Sequence, residues 1–165
     1  ASILDGGFNQ WEKLNLPTSK GNLNFSKSDF IFSPRDNIFV DKDAVLEAMN
    51  NPKCIILNSL TSDIHNGKNP RYGRLGRIPT SLNIPFHELL DSETGKFKKF
   101  DELLKIYHVN NISRDSCVLN YCGGGIAASL EAFVLYQLGF ENITIYDNSL
   151  HEWAAIDQTL PMEND

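Results

Sequence analysis

Apolar positions along the chain fall in short runs separated by charged or turn-forming stretches, and their spacing alternates between a helical and a strand period. Asp41 to Asn50 (DKDAVLEAMN) carries apolar residues at helical spacing behind an aspartate suited to cap a helix. Cys54 to Asn58 (CIILN) follows as a near-continuous apolar strand. From Ser59 to Ser81 the chain is polar and punctuated by Gly67, Pro70, Gly73, Gly76 and Pro79, which predicts a long loop. Long ordered loops in compact domains are disproportionately functional. A strand at Ser81 to Ile84, a helical turn from Phe86 and a turn at Thr94-Gly95 are expected next, then a helix from Phe100 to His108 ended by Asn110-Asn111. Ser116 to Tyr121 (SCVLNY) is an apolar strand, Ile126 to Leu138 (IAASLEAFVLYQL) a helix stopped by Gly139, and Ile143 to Tyr146 the last strand. Strands this apolar, alternating with helices, predict an α/β domain whose largely parallel central sheet is flanked by helices.

Two distant segments repeat one another. Ile3, Asp5 and Trp11 recur at the same offsets as Ile145, Asp147 and Trp153, and a Leu-Pro follows each, at Leu16-Pro17 and Leu160-Pro161. A strand end, a tight polar turn and a helix start carrying a tryptophan would produce this pattern. The echo predicts that residues 1–20 are the tail of a preceding repeat, 21–37 a linker and 38–165 the domain proper. On that reading the N-terminus carries no targeting information.

Composition narrows the function. The 165 residues are 41% hydrophobic and 22% charged, the make-up of one soluble domain large enough to bury its own core. Fifteen basic against 21 acidic residues give a net charge of −6, which argues against a nucleic-acid partner. Any anion must therefore meet a local cationic cluster. No apolar run approaches the roughly 18 residues of a membrane span, so no membrane partner is expected. The cysteines, Cys54, Cys117 and Cys122, are too few and too irregularly spaced for a disulfide framework or a zinc site, and read as reduced thiols in a cytoplasmic setting. Neither they nor His65, His87, His108 and His151 have metal-ligand spacing, so no metal is expected. Cys54 and Cys117, in apolar strands, read as core fillers. Trp11 and Trp153 read as packing anchors, His151 as a solvated turn residue, and Asp147 as the cap of the helix that follows it.

The chemistry concentrates at Tyr121-Cys122-Gly123-Gly124-Gly125-Ile126-Ala127-Ala128-Ser129, where an apolar strand turns into a helix. Three glycines allow successive amides to point inward as an anion nest at a helix N-terminus. A cysteine at its mouth has its thiolate favoured by up to ~2 kcal/mol, which predicts a nucleophile near neutral pH. A dinucleotide fingerprint also fits, as Gly123-x-Gly125-x-x-Ala128 with Asp147 after the next strand, but that fingerprint belongs early in its fold. A cysteine phosphatase would use the same nest with an arginine six residues past the cysteine, where this chain has Ala128. Sulfur transfer asks only for the thiolate, the nest and an open mouth. An inert packing turn is the bland alternative.

The turn CGGGIAAS, the following LEAFVLYQLGFENITIYDNSLHEW and the upstream NPRYGRLGRIPTSLNIPF together resemble the second domain of a tandem rhodanese, a thiosulfate or 3-mercaptopyruvate sulfurtransferase. The similarity covers about residues 38–161, and Leu4 to Pro17 resembles the closing segment of such a protein's first domain. The resemblance implies a rhodanese-like fold and a sulfurtransferase that carries sulfur as a persulfide on Cys122, cradled by the backbone of Gly123, Gly124, Gly125, Ile126 and Ala127, without metal or organic cofactor. It also implies a small anionic donor, an acceptor that is cyanide, a thiol or a protein cysteine, and an upstream rhodanese-like domain as partner. A non-catalytic module that binds a partner through this loop is the alternative, and it has no use for the cysteine. The chain departs from the family where Asn58 and Leu60 replace an aspartate and an arginine, where Gly76-Arg77-Ile78-Pro79-Thr80 replaces Gly-His-Ile-Pro-Gly, and where Leu150 replaces a frequent tryptophan. Its glycine loop is nearer those associated with mercaptopyruvate than the Arg-Lys loop associated with thiosulfate.

The cations for such a donor must come from outside the loop. Arg71, Arg74 and Arg77 recur every third residue in the long polar stretch and are the expected substrate contacts, with Arg71 in Asn69-Pro70-Arg71 the best match to an anchoring arginine of the family.

Overall fold

A computed structural model describes residues 2–33 and 37–164; residues 1, 34–36 and 165 of the three expected segments lie outside the described residues. In chain order the elements are α1 (Gly7–Lys13), β1 (Phe39–Val40), α2 (Lys42–Met49), β2 (Cys54–Asn58), α3 (Ser62–His65) and β3 (Leu82–Asn83), followed by a 3₁₀ turn (Phe86–Leu89). Then come α4 (Phe100–Val109), β4 (Cys117–Tyr121), α5 (Ile126–Gln137), β5 (Ile143–Tyr146) and a π-helical turn (His151–Ile156). The five strands form one sheet in the order β1-β5-β4-β2-β3, and each neighbouring pair is parallel. Asp41 caps α2 as expected, accepting the amides of Asp43 at 3.1 Å and Ala44 at 3.2 Å.

Period-two alternation within the central strands divides the core. Ile56, Leu119 and Ile145 face one buried cluster with Val45, Ala128 and Trp153, while Leu57 and Val118 face another with Leu103, Tyr107 and Leu135. Both faces are covered, which is why these strands read as continuous apolar runs. Two elements escape the sequence pattern. Strand β1 is only Phe39–Val40, and α3 is a single helical turn inside the expected loop, both too short for periodicity to register.

The terminal echo extends to hydrogen bonding. The Trp153 indole N–H donates to the carbonyl of Pro161 at 2.7 Å, and that of Trp11 to the carbonyl of Pro17 at 3.0 Å. Trp153 is fully buried, whereas Trp11 is half-buried and its short helix lies against the turn before α4, with the Phe97 amide donating to Asp5 Oδ1 at 3.0 Å.

One buried acid makes stability depend on pH. Glu131 of α5 is fully buried; Tyr107 donates to its Oε1 at 3.2 Å, while Oε2 and the nearby Ser59 hydroxyl find no hydrogen-bond partner among the described residues. Burial pushes the carboxyl up to about 8, against the opposing pull of Ser59 and Tyr107. The folded state thus keeps a proton that the unfolded chain releases near pH 4.3, so the associated stability is full below that pH and is lost as pH rises to about 8. Glu131→Gln should remove this slope and raise stability at pH 8 by about 2–3 kcal/mol. Denaturant melts of both proteins at pH 5.5 and 8 measure it, and parallel losses in the two would refute the assignment.

Candidate active site

The cleft follows from the topology. From β2 the chain crosses to β3 on one side of the sheet, and from β4 it crosses to β5 on the other, so the segments leaving β2 and β4 diverge and open a crevice at their carboxyl ends. Cys122 follows β4 directly and lies 2% exposed on the crevice floor. Gly125 holds a φ of +82°, which lets the chain turn sharply into α5. Among the described residues, the amides of Gly123, Gly124 and Gly125 donate to no protein acceptor. They stand beside the positive end of a 12-residue helix, directly after Cys122 in the chain.

The segment after β5 fixes this loop from behind. The Cys122 amide donates to Ser149 Oγ at 3.0 Å, Leu150 donates to the Cys122 carbonyl at 3.1 Å, and His151 to the Gly123 carbonyl at 2.9 Å. The Ser149 hydroxyl donates to the Tyr146 carbonyl at 2.8 Å and has Cys122 Sγ as an alternative acceptor at 4.0 Å. Space for side chains on the glycine turn is closed from two directions. A Cβ on Gly125 would stand 2.1 Å from Asp147 Oδ1, and one on Gly123 would stand 2.0 Å from the Tyr72 hydroxyl. Asp147 is therefore a neighbour of the loop and not the helix cap expected from sequence; Leu150 occupies the cap position and makes no side-chain cap bond.

The cleft has a volume of about 520 Å³. It is lined by Cys122, Gly123, Gly124, Ile126 and Ala127 of the loop and helix start, by Leu60, Tyr72, Phe86 and Leu130, and by the exposed Arg71 and His151. The five expected loop residues are thus together, four lining the cleft and Gly125 forming the turn beneath it. The three arginines are not. Arg71 is exposed, lies over the Tyr72 ring with its guanidinium carbon 5.7 Å from the centroid, and has no carboxylate within ion-pair distance among the described residues. Arg74 points away into the body of the domain. Its guanidinium donates to the carbonyls of Trp153 (2.5 Å), Leu160 (2.6 Å), Asp157 (3.1 Å) and Ala154 (3.4 Å), closing the C-terminal end of the π-helical turn. Arg77 pairs with Glu163 and donates to the His65 carbonyl at 3.4 Å. A three-residue repeat on an irregular loop does not place side chains on one face, and of the three expected substrate contacts only Arg71 lines the cleft.

The departures from the family pattern have local explanations. Buried Asn58 accepts the Leu60 amide at 3.0 Å and bonds His65 Nδ1 at 3.1 Å, so it shapes the chain as it leaves β2 while Leu60 makes the cleft wall apolar. Thr80 keeps a φ of +66° in place of the family's glycine, at a cost of about 1–2 kcal/mol, and its amide donates to Glu163 Oε2 at 3.1 Å. Leu150 is fully buried in the core beneath the loop. Ser149, Tyr72 and His151 escape the sequence reading as members of the site. The only signal for the first and last was their place in the echoed segment, and Tyr72 had none beyond its neighbour Arg71. Among the described residues no cluster has the composition of a metal site, and no helix is long and apolar enough to cross a membrane.

Sheet, glycine turn and cysteine-floored cleft define a class of domain. The profile of the rhodanese-like domain family matches residues 41–156, and the chain belongs to that family. Its relatives include the 3-mercaptopyruvate sulfurtransferase of Escherichia coli (strain K12), 29% identical over 165 residues, 98% of this chain and 58% of that protein. The 3-mercaptopyruvate sulfurtransferase of Rattus norvegicus is 28% identical over 155 residues, covering 92% of this chain and 52% of its own length. The chain thus spans about half the length of the curated relatives it matches. Among solved structures the fold is shared with an anaerobic ergothioneine biosynthesis enzyme from Chlorobium limicola, with a TM-score of 0.87 at 19% identity over 98% of this chain and 41% of that one.

Proposed function

We propose that this domain is a sulfurtransferase in which Cys122 carries a sulfane sulfur from a small anionic donor to a thiophilic acceptor. The observation that carries the reading is Cys122 lining a cleft directly before glycine amides that donate to no protein acceptor at the N-terminus of α5, with Arg71, which has no ion-pair partner among the described residues, lining the same cleft. The Cys122 thiolate attacks the donor's outer sulfur, and that sulfur's bond to the rest of the donor breaks. The leaving group keeps the electron pair, as pyruvate enolate from 3-mercaptopyruvate or sulfite from thiosulfate. The persulfide anion rests among the amides of Gly123, Gly124, Gly125, Ile126 and Ala127 until cyanide, a thiol or a protein cysteine attacks its terminal sulfur and restores the thiolate. A reducing, cytoplasm-like compartment suits a cycle that needs this thiolate free.

Two features favour 3-mercaptopyruvate. The cleft offers one cation between apolar walls at Leu60, Phe86 and Leu130, which suits a monocarboxylate with a carbon body better than a compact dianion. The two relatives named above act on that donor by name. Incubating the chain with each donor, followed by intact mass, tests the proposal; a mass gain of one sulfur mapped to Cys122 is expected, larger with 3-mercaptopyruvate. Label on another cysteine, or on none, would overturn it.

Arg71 and Arg74 separate substrate contact from architecture. Arg71→Ala removes a charge-assisted contact to the donor, so its KM should rise roughly 10-fold with the melting temperature nearly unchanged. Arg74→Ala strips donors from four carbonyls and should lower stability by about 2–4 kcal/mol. Donor kinetics and thermal melts on both variants distinguish the two roles.

We also propose that residues 1–20 close a preceding rhodanese-like domain and that 21–37 link it to the catalytic domain at 38–165. The sequence echo and the matching indole-to-proline hydrogen bonds at Trp11 and Trp153 support this.

A further inference from the structure

The end of the sheet opposite the cleft holds a pair of sulfur atoms. Cys54 begins β2 and Cys117 begins β4, and the two are direct partners in the parallel ladder, so both side chains leave the same face of the sheet. Neighbouring parallel strands run roughly 4.8 Å apart, inside the roughly 4.4–6.8 Å span between Cα atoms that a disulfide bridges. The sulfurs stand 2.6 Å apart, and both residues are half-buried, open enough for a small reagent to reach. Cys54 packs against the core, in keeping with the reading as a core filler. The ladder register makes the two cysteines a facing dithiol.

We propose that Cys54 and Cys117 form a reversible redox pair, oxidised by low-molecular-weight disulfides to a bond that staples β2 to β4. In the first step one protein thiolate attacks the small disulfide, whose S–S bond breaks as one small thiolate leaves. The facing cysteine loses its proton, attacks the protein sulfur of this mixed disulfide and expels the second small thiolate. Two protein thiols are oxidised by two electrons, the small disulfide is reduced to two thiols, and the two protons end on those. Burial and the adjacent Cys117 push the Cys54 thiol up to about 12, so the sulfurs react in sequence and not as two thiolates together.

The bond would join positions 63 residues apart in sequence and remove much of the unfolded chain's freedom. It lies at the amino ends of β2 and β4, whereas Leu60 and Cys122 lie beyond their carboxyl ends, so it stabilises the sheet without covering the cleft. The inference is independent of the sulfur-transfer reading, because neither thiol takes part in that chemistry.

The test equilibrates the full chain carrying Cys122→Ala in graded mixtures of glutathione and glutathione disulfide, traps free thiols with a maleimide, and maps peptides by mass. Expected is a single cross-link between Cys54 and Cys117 as the dominant oxidised form, with a melting temperature raised by roughly 10 °C and restored by dithiothreitol. Cys117→Ser in the same background should lose both the cross-link and the shift. With Cys122 intact and the cross-link formed, persulfide loading should stay within roughly twofold, as the distance from the cleft requires. Maleimide on both cysteines in the most oxidising mixture, stable glutathione adducts in place of the cross-link, or a cross-link that leaves the melting temperature unmoved would each overturn the proposal.

Discussion

Cys122→Ser should abolish sulfur transfer while the domain stays folded. A serine hydroxyl is far too basic to form the nucleophile at neutral pH and cannot hold a sulfane sulfur, so turnover should fall by at least ~1,000-fold, to the background of the reagents. No persulfide mass should appear. The fold has little reason to respond, because the substitution replaces one small atom beside Ser149, whose hydroxyl is already within 4.0 Å of the sulfur. Burying a second hydroxyl there costs about 1 kcal/mol, a shift of only a few degrees in a melt. Matched thermal melts and donor turnover on parent and variant check both halves. Retained turnover would move the chemistry to Cys54 or Cys117, and a collapsed melt would make Cys122 a packing residue.

The second large effect is expected at Gly125. Alanine there would sit at a φ of +82° and place its Cβ 2.1 Å from Asp147 Oδ1 and 3.2 Å from the Asp147 carbonyl. The backbone conformation alone costs about 1–2 kcal/mol, and relief requires the turn to shift away from the segment after β5. That shift rotates the loop amides proposed above to receive the persulfide. Losing one well-placed donor of this kind lowers rates by roughly 100-fold, which is the fall expected for Gly125→Ala, with a melting temperature about 5 °C lower. Gly124 provides the contrast, since its φ is not positive and a Cβ there meets nothing within 4 Å. Gly124→Ala should keep the parent's melting temperature. Equal behaviour of the two variants would show that the turn does not depend on the left-handed residue.

Much of the site was legible because its determinants are contiguous. Strand, cysteine, three glycines and helix follow one another within residues 117–137, so their geometry depends on local propensity and a single turn. The surroundings of Arg74 and Arg77 were not legible for the opposite reason. Arg74 finds its carbonyl partners 79 to 86 residues further along the chain, and Arg77 meets Glu163 86 residues away. Asp147 was misjudged because its carboxylate lies against a glycine 22 positions earlier, a contact that local capping rules do not consider.

Short-range physics accounts for the features readable along the chain: apolar periods that set strands and helices, an aspartate that caps α2, a glycine turn that opens α5, and the repetition of one segment at both ends. Which distant groups meet depends on the packing of the whole domain. The strand order put the segments leaving β2 and β4 on either side of one crevice, and the ladder register brought Cys54 to Cys117. Chain packing buried Glu131 beside Tyr107, aimed Ser149 at the cysteine loop, and left Arg71 as the arginine at the cleft. Such pairings arise from burial and hydrogen-bond satisfaction across the whole domain, where a group takes whatever partner the packed core leaves it, and no window of neighbouring residues contains that information.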